Sequence, residues 1–445
     1  MSDRNDPLPG SVLPPYSVSS QEPEPRRIIV ISASVGAGHD GAAAGLTDRL
    51  TAHGYLVDRH DFLDLLPARA GSLLRGTYHR MLTWAPTGYQ RLYAATDTKR
   101  PGLVWRALLR SAERRTLRTL TPDTCAVVST YFGASQVLGA LRQRGLLQVP
   151  ALTYLTDFSV HALWVAPGMD AHLAVHAIPA IQARTQGAVG VTVAGPVTDP
   201  RFTPAEDEQR PAARARFGLP ADAPLALLVA GSWGVGAVRQ AAAEIRDTQL
   251  AVPVVVCGRN QALAEQLRAD GIEYAFGWVD DMPGLMHACD VLVQNAGGLT
   301  SLEAFAAGLP VASYRCIPGH GRTNAEALEE AGLAAWIRVP DQLGPVLGDL
   351  LNGPRGEAQR AAGLALHRSA PGPVPAIAAQ SVDASTPALT SSHKARRPAR
   401  RRIAVAATTA AVTFSLGIAA PLAYAYAEAP ARFHAVAHYL DGDKR

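Results

Sequence analysis

The stretch that most constrains this chain is residues 294–310, QNAGGLTSLEAFAAGLP. The apolar run Val291-Leu292-Val293 before it reads as a buried strand, and Asn295-Ala296-Gly297-Gly298 interrupts that strand. Thr300 or Ser301 has the chemistry to cap a helix through Glu303, Ala304 and Phe305, with Gly308 and Pro310 as its stop. A strand, a glycine turn and a helix N-terminus gather unpaired N–H groups in one place, which suits a phosphate or diphosphate. Glu303 falls in the first helical turn, within reach of sugar hydroxyls beside such a phosphate. An ordinary strand-to-helix turn with a dipole-favourable Glu has the same local pattern, so the rest of the chain must decide.

Upstream, a short apolar strand at residues 28–31 leads into Gly36, Gly38 and Gly41, a GxGxxG ahead of an Ala-rich helix. Asp58 closes the next strand, where a dinucleotide-binding domain places its ribose acid, so a nicotinamide-dependent oxidoreductase is one reading. That reading leaves His39 unused. An imidazole in the first turn beside the glycine loop can take a proton from an acceptor hydroxyl, or can simply cap the helix. Strands at 125–130 and 151–155 continue the sheet, and TDFSVHALW follows at a strand's carboxyl end. Asp157 and His161, four apart there, are a candidate acid/base pair on one helical face.

After the Pro-dense segment 195–202 the alternation restarts. The strand at 224–230 runs into Gly231, Ser232, Gly234 and Gly236, a second glycine turn fit for phosphate, and Arg259 stands at the edge of the next strand, where it would balance diphosphate charge. Two βα-repeating halves predict an α/β chain of two facing Rossmann-like domains, residues 26–199 and 200–352, with a cleft between them. No DxD and no His/Asp/Glu cluster lies near these loops, so neither a metal nor a cofactor is expected, and helix dipoles with Arg259 would carry the diphosphate. The four cysteines, Cys125, Cys257, Cys289 and Cys316, lack metal-ligand spacing and read as reduced core residues.

A net charge of +4 does not imply nucleic acid, but its distribution is uneven. Between residues 69 and 118, eleven Arg and Lys side chains meet only Asp97 and Glu113, with Tyr78, Trp84, Tyr89, Tyr93 and Trp105 interleaved. Basic stems and amphipathic rings suit an anionic membrane surface, and the same chemistry would serve single-stranded nucleic acid or a solvated helical face.

The motifs SVGAGHDGAA, TDFSVHALW, AGPVTDPRF, GSWGVG, CGRN, FGWVDDMPGLMHACD and AGGLTSLEAFAAGLPV, followed by PGH and Asn324, stand in one order over residues 27–350. In that order they resemble GT-B glycosyltransferases of the monogalactosyldiacylglycerol synthase and lipid-linked N-acetylglucosaminyl transferase group. The resemblance implies Gly36, Gly38 and Trp164 on the acceptor side, with His39 as general base and Asp157 or His161 in reserve. It implies Glu303 on the donor ribose, and Gly231, Ser232, Gly234, Gly236, Arg259, Gly297, Gly298 and Thr300 at the diphosphate. Trp278 and Val279 fall where the uracil is met, Asn295 and His320 near the transferred sugar, and Asn324 among the UDP-sugar residues. The sequence departs from plant-type galactolipid synthases at Asn295, where they commonly carry Lys, and at His320-Gly321, where they carry Gln-Glu, so galactose is not implied. The Pro that cell-wall enzymes place after Gly-Gly-His is absent too. The implied activity is inverting transfer of a hexose from a UDP-sugar to a lipid hydroxyl such as that of diacylglycerol. A non-catalytic sugar-nucleotide or lipid-binding protein is the alternative.

Residues 1–25 lack an apolar h-region and read as a disordered arm. Residues 353–402 read as a flexible basic linker, residues 403–427 as an uncharged transmembrane helix, and residues 428–445 as a short outer tail. Six basic residues between Lys394 and Arg402 orient that span with the catalytic domains in the cytoplasm, which implies a single-pass protein of the cell membrane in contact with inner-leaflet anionic lipids.

Overall fold

The computed structural model describes residues 26–97 and 102–381. Short apolar strands buried on both faces force a layered α/β arrangement, since only helices on each side can cover them. Two six-stranded parallel sheets result. The first contains β1 (Arg27–Ser32), β2 (Leu56–Asp61), β3 (Thr124–Ser129), β4 (Ala151–Tyr154), β5 (Ala171–Ala174) and β6 (Val191–Val193), in the order β2-β1-β3-β4-β5-β6. The second contains β7 (Leu225–Val229), β8 (Val252–Val256), β9 (Tyr274–Phe276), β10 (Val291–Gln294), β11 (Val311–Tyr314) and β12 (Ala335–Ile337), in the order β12-β11-β10-β7-β8-β9.

Strand order reverses between β1 and β3 in the first sheet and between β7 and β10 in the second. Crevices at such reversals, beyond the carboxyl ends of the strands, are where open parallel sheets bind ligands. The loop carrying Gly36–His39 leaves β1, and the glycine turns at 231–236 and 295–298 leave β7 and β10. All three motifs therefore sit at the two switch points.

Direct contacts join the sheets' loops. On the helix Ala37–Ala52, a Cβ added to Gly41 would lie 2.3 Å from Leu299 Cδ2, so the Leu299 side chain of the donor-side helix Leu299–Ala306 packs directly over Gly41. Asn324, fully buried on the helix His320–Glu330, accepts hydrogen bonds at Oδ1 from the Ser159 N–H (2.8 Å) and Oγ–H (3.0 Å) across the junction. Its Nδ2 donates to the Ala296 carbonyl at 3.0 Å.

Several expectations are corrected. Residues 354–369 and 373–380, read as linker, are helices. The first packs on Leu299–Ala306, where Gly363 meets Phe305, and the second returns Ile377 to the core of the first sheet. Asp157 and His161 lie in an irregular loop before the short 3₁₀ turn Ala162–Trp164, so they share no helical face. Asp58 pairs with Arg27 at 2.9 Å instead of awaiting a ribose. Tyr78, Tyr89, Tyr93 and Trp105 turn inward from the basic region, Tyr78, Tyr89 and Tyr93 packing with Met81, Leu82 and Trp233 of the second domain's loop, because burying large rings outweighs exposing them. The cysteines are free, three of them buried. Among the described residues no helix is long and apolar enough to cross a membrane, and residues 1–25 and 403–427 lie outside those described.

Removing the Asn324 amide strands the Ser159 N–H and the Ala296 carbonyl in a buried place. Asn324→Ala should therefore cost about 2–4 kcal/mol of unfolding free energy, read as a lower urea midpoint. An unchanged midpoint would show that water replaces the amide without loss.

Candidate functional site

On the acceptor side, Gly36 is the N-cap of the helix Ala37–Ala52, and His39 stands in its first turn. The His39 Nδ1 lies 2.8 Å from the Thr130 carbonyl and 3.1 Å from Thr156 Oγ1. A carbonyl only accepts, so Nδ1 carries the hydrogen and a neutral ring keeps its lone pair on Nε2. Nε2 has no hydrogen-bond partner among the described residues. Tyr131 and Trp164 pack on the ring at 5.4 and 5.9 Å, and the buried Trp164 donates from Nε1 to Asp157 Oδ2 at 3.3 Å. A Cβ added to Gly38 would meet Leu299 at 3.9 Å, an ordinary contact distance, so the N-termini of the two helices lie close together.

His161 has a different task from the one expected. Its Nδ1 accepts from the Leu163 N–H at 3.2 Å, so Nε2 carries the hydrogen and donates to the Tyr93 carbonyl at 3.1 Å. Nδ1 caps the 3₁₀ turn Ala162–Trp164 and Nε2 holds the helix Pro86–Thr96, so neither nitrogen is available to a substrate.

On the donor side, Gln294 Oε1 accepts from the N–H groups of both Ala296 (2.7 Å) and Gly297, so those two are not free for phosphate. Gly297 turns at φ 73°, where its missing side chain admits the Asn324 Cβ. Gly298, not Thr300 or Ser301, is the N-cap of Leu299–Ala306, and it adds no side-chain cap. The first-turn N–H groups of Leu299 and Thr300 have no acceptor within the helix and remain for an anion. Gly231, Gly234 and Gly236 all take positive φ in the loop that opens the helix Val238–Asp247, and Asn295 steadies it by donating from Nδ2 to the Val235 carbonyl at 2.9 Å. Ser232 accepts the Arg259 backbone N–H at 2.9 Å. The Arg259 guanidinium sits 5.1 Å above the ring of Trp278, which is 51% exposed, while Val279 packs against the core. Cation and ring form an open platform for a planar base.

Glu303 lies half-buried one turn into the helix, and its carboxyl makes no hydrogen bond or ion pair with any described residue. Burial, with the charge of Asp199 second, pushes its carboxyl up to about 7. His320 begins the helix His320–Glu330, and its Nδ1 lies 2.9 Å from the Tyr89 hydroxyl. Burial lowers its pKa, the charge of Asp157 opposes that and the charge of His39 adds to it. Gly321 packs against the Asn295 carbonyl, with 2.7 Å left for any Cβ, so the Gln-Glu of galactolipid synthases does not fit this backbone. Asn324 is taken up by the domain junction rather than turned toward a sugar.

Sequence reasoning missed Leu299, Tyr89, Gln90 and Trp233. Trp233 packs on Tyr78 and His79 at 5.7 and 5.1 Å, and Gln90 Oε1 accepts the Gly319 N–H at 2.5 Å. The available signal was the pair Tyr89 and Tyr93, one helical turn apart with Gln90 between them.

Residues 39–193 match the family model described as monogalactosyldiacylglycerol (MGDG) synthase, and residues 227–343 match that of glycosyl transferases group 1. A processive diacylglycerol beta-glucosyltransferase of Bacillus pumilus (strain SAFR-032) is 24% identical over 325 residues, covering 70% of this chain and 83% of the relative. The protein of that name from Bacillus subtilis (strain 168) is 28% identical over 218 residues, 46% of this chain and 56% of the relative. In fold the chain is similar to TcCGT1 solved with UDP (TM-score 0.52, 13% identity, 78% of this chain and 94% of that one). It is also similar to sucrose-phosphate synthase from Thermosynechococcus elongatus (TM-score 0.50, 12% identity, 80% and 97%). The two facing sheets are the GT-B arrangement.

A carboxyl raised to about 7 keeps a proton in the folded chain that the unfolded chain has released above its ordinary value of 4.5. Folding stability therefore falls as pH rises through that interval. Glu303→Gln should remove this fall, leaving the ligand-free protein about 1–3 kcal/mol more stable than wild type at pH 8 and little different at pH 4.5. Parallel melting curves for the two proteins at both pH values would sink the argument.

Proposed function

We propose that this chain, a glycosyltransferase by both of its domains, moves a hexose from a UDP-sugar to the hydroxyl of a diacylglycerol-type lipid, inverting the anomeric centre. The observation that carries the reading is His39, with Nδ1 tied to Thr130 and Thr156 and Nε2 left open opposite the donor loops. Nε2 takes the proton of the acceptor hydroxyl as its oxygen attacks the anomeric carbon, and UDP departs from the opposite face. The N–H groups of Leu299 and Thr300, the 231–236 loop and Arg259 take up the diphosphate charge. Glu303 accepts from the ribose hydroxyls, the base lies on the Arg259–Trp278 platform, and His320 meets the sugar. The acceptor class is supported by the diacylglycerol named in the relatives of both Bacillus species.

A lipid acceptor requires the cleft to reach a membrane. Leu73 (44% exposed) and Trp84 (82% exposed) stand out on the helix Ala70–Trp84, near the exposed Arg69, Arg80 and Arg91, a composition suited to an anionic leaflet. Residues 403–427 carry no charge and as a helix would reach about 37 Å, enough to cross a hydrocarbon core of ~30 Å. The basic residues before them keep the catalytic domains on the cytoplasmic side.

With UDP-glucose and diacylglycerol in mixed micelles, His39→Ala should cut turnover by ~10²–10⁴ while calorimetry shows UDP binding intact. Turnover near wild type would reduce His39 to a structural residue. Glu303→Ala should weaken UDP binding about tenfold or more, and an unchanged affinity would remove Glu303 from the donor site. In intact cells, external protease should cut an epitope placed after Arg445 and spare one placed before Arg26. Protection at both ends would rule out the span.

A further inference from the structure

We propose that Tyr89 is a positioning residue for the donor sugar, its hydroxyl holding the His320 imidazole so that the ring's Nε2–H points at a hydroxyl of the transferred hexose. The inference rests on the reading above that His320 meets that sugar. Tyr89 belongs to the acceptor half, 231 residues before His320, and its oxygen lies 2.9 Å from Nδ1 with the two rings edge-on at 84°. The ring is held neutral by its burial, so one nitrogen donates and the other accepts. A tyrosine O–H donating to Nδ1 leaves the hydrogen on Nε2, the atom that faces away from Tyr89. A donor N–H is what an oxygen of a sugar hydroxyl can use.

The surroundings make this arrangement rigid. His320 is the first residue of its helix, behind Gly319 at φ 73°, and a Cβ there would lie 2.9 Å from atoms of both Tyr89 and Tyr93. The helix Pro86–Thr96 is thus pressed against the turn that aims His320, and Gln90 accepts the Gly319 N–H in the same contact. The neighbouring helix Ala70–Trp84 meets Trp233 of the donor glycine loop through Tyr78 and His79. The acceptor half therefore packs on the donor glycine loop and on the sugar end of the donor pocket, and Tyr89 is its residue bonded to His320. UDP alone needs nothing from Tyr89, whereas UDP-sugar does. A pocket that hydrogen-bonds one hydroxyl also discriminates against the sugar whose hydroxyl points elsewhere.

The test uses the full chain carrying Tyr89→Phe, which keeps the ring and its packing and removes only the hydroxyl. UDP affinity should stay at wild type, kcat/KM for the preferred UDP-hexose should fall about tenfold, and selectivity between UDP-glucose and UDP-galactose should shrink by a similar factor. In the double variant with His320→Asn, the Tyr89→Phe loss should disappear, because the residue through which it acts is gone. Losses that multiply in the double variant, or selectivity unchanged in Tyr89→Phe, would overturn the proposal. If the wild-type chain turned over no UDP-hexose, the functional reading would fail by itself, and the ring would still decide the matter. In ¹⁵N-imidazole spectra, with the His320 signals identified from the His320→Asn variant, wild type should show the Nε2–H tautomer and Tyr89→Phe a mixture. The same tautomer in both would overturn it.

Discussion

The Asn324 amide is the contact on which the rest of the cleft depends. It is fully buried, so its donor and acceptor must both be met by protein, and the partners come from different domains: Ser159 beyond β4 and Ala296 beyond β10. That requirement sets how far apart the two switch points stand. Once it is met, the helix His320–Glu330 starts against Tyr89, and Leu299 packs beside Gly38 and Gly41. Two helix N-termini then face each other across one crevice, a geometry that neither sheet has alone.

That geometry is electrostatically incomplete without a ligand. Two positive helix ends converge, and the half-buried Glu303 carboxyl, without a partner among the described residues, is pushed toward its neutral form by desolvation. Asp157 is held by Trp164, and its charge reaches His320 and the tyrosines that line the junction. A diphosphate with an attached ribose would satisfy both the N–H groups and the carboxylate. The site is thus preorganised at some cost to the empty fold, as is usual where polar groups are aimed at something not yet bound.

Much of this was legible beforehand where the signal was local. Strand-to-helix alternation carries a short period and survives any tertiary context, so both sheets were readable. The glycines at 231, 234, 236 and 297 mark backbone conformations that other residues resist, and all four take positive φ. Other readings failed for identifiable reasons. The spacing of Asp157 and His161 matches a helical face, but the loop between β4 and the 3₁₀ turn is irregular. The Pro, Ala and Ser content after residue 353 resembles a linker, yet Gly363 against Phe305 and Ile377 in the core show packed helices there. The tyrosines of the basic region read as membrane-facing because the sequence does not say which side of a short helix is covered.

The sequence by itself determined the two parallel-sheet domains, the glycine turns at their switch points, and His39 in the first turn of its helix, whereas Glu303, expected in a first turn, stands one turn further in because the helix starts at Leu299. These follow from backbone rules that act over a few positions. Only the tertiary structure decided which polar groups remain free. It tied His161 to Tyr93, gave Gly297's N–H to Gln294, placed Asn324 at the junction and set Tyr89 against His320. The physical reason is that a hydrogen-bonding group is available to a substrate only when no nearer partner has claimed it. Here several of those partners lie 68 to 231 residues away along the chain.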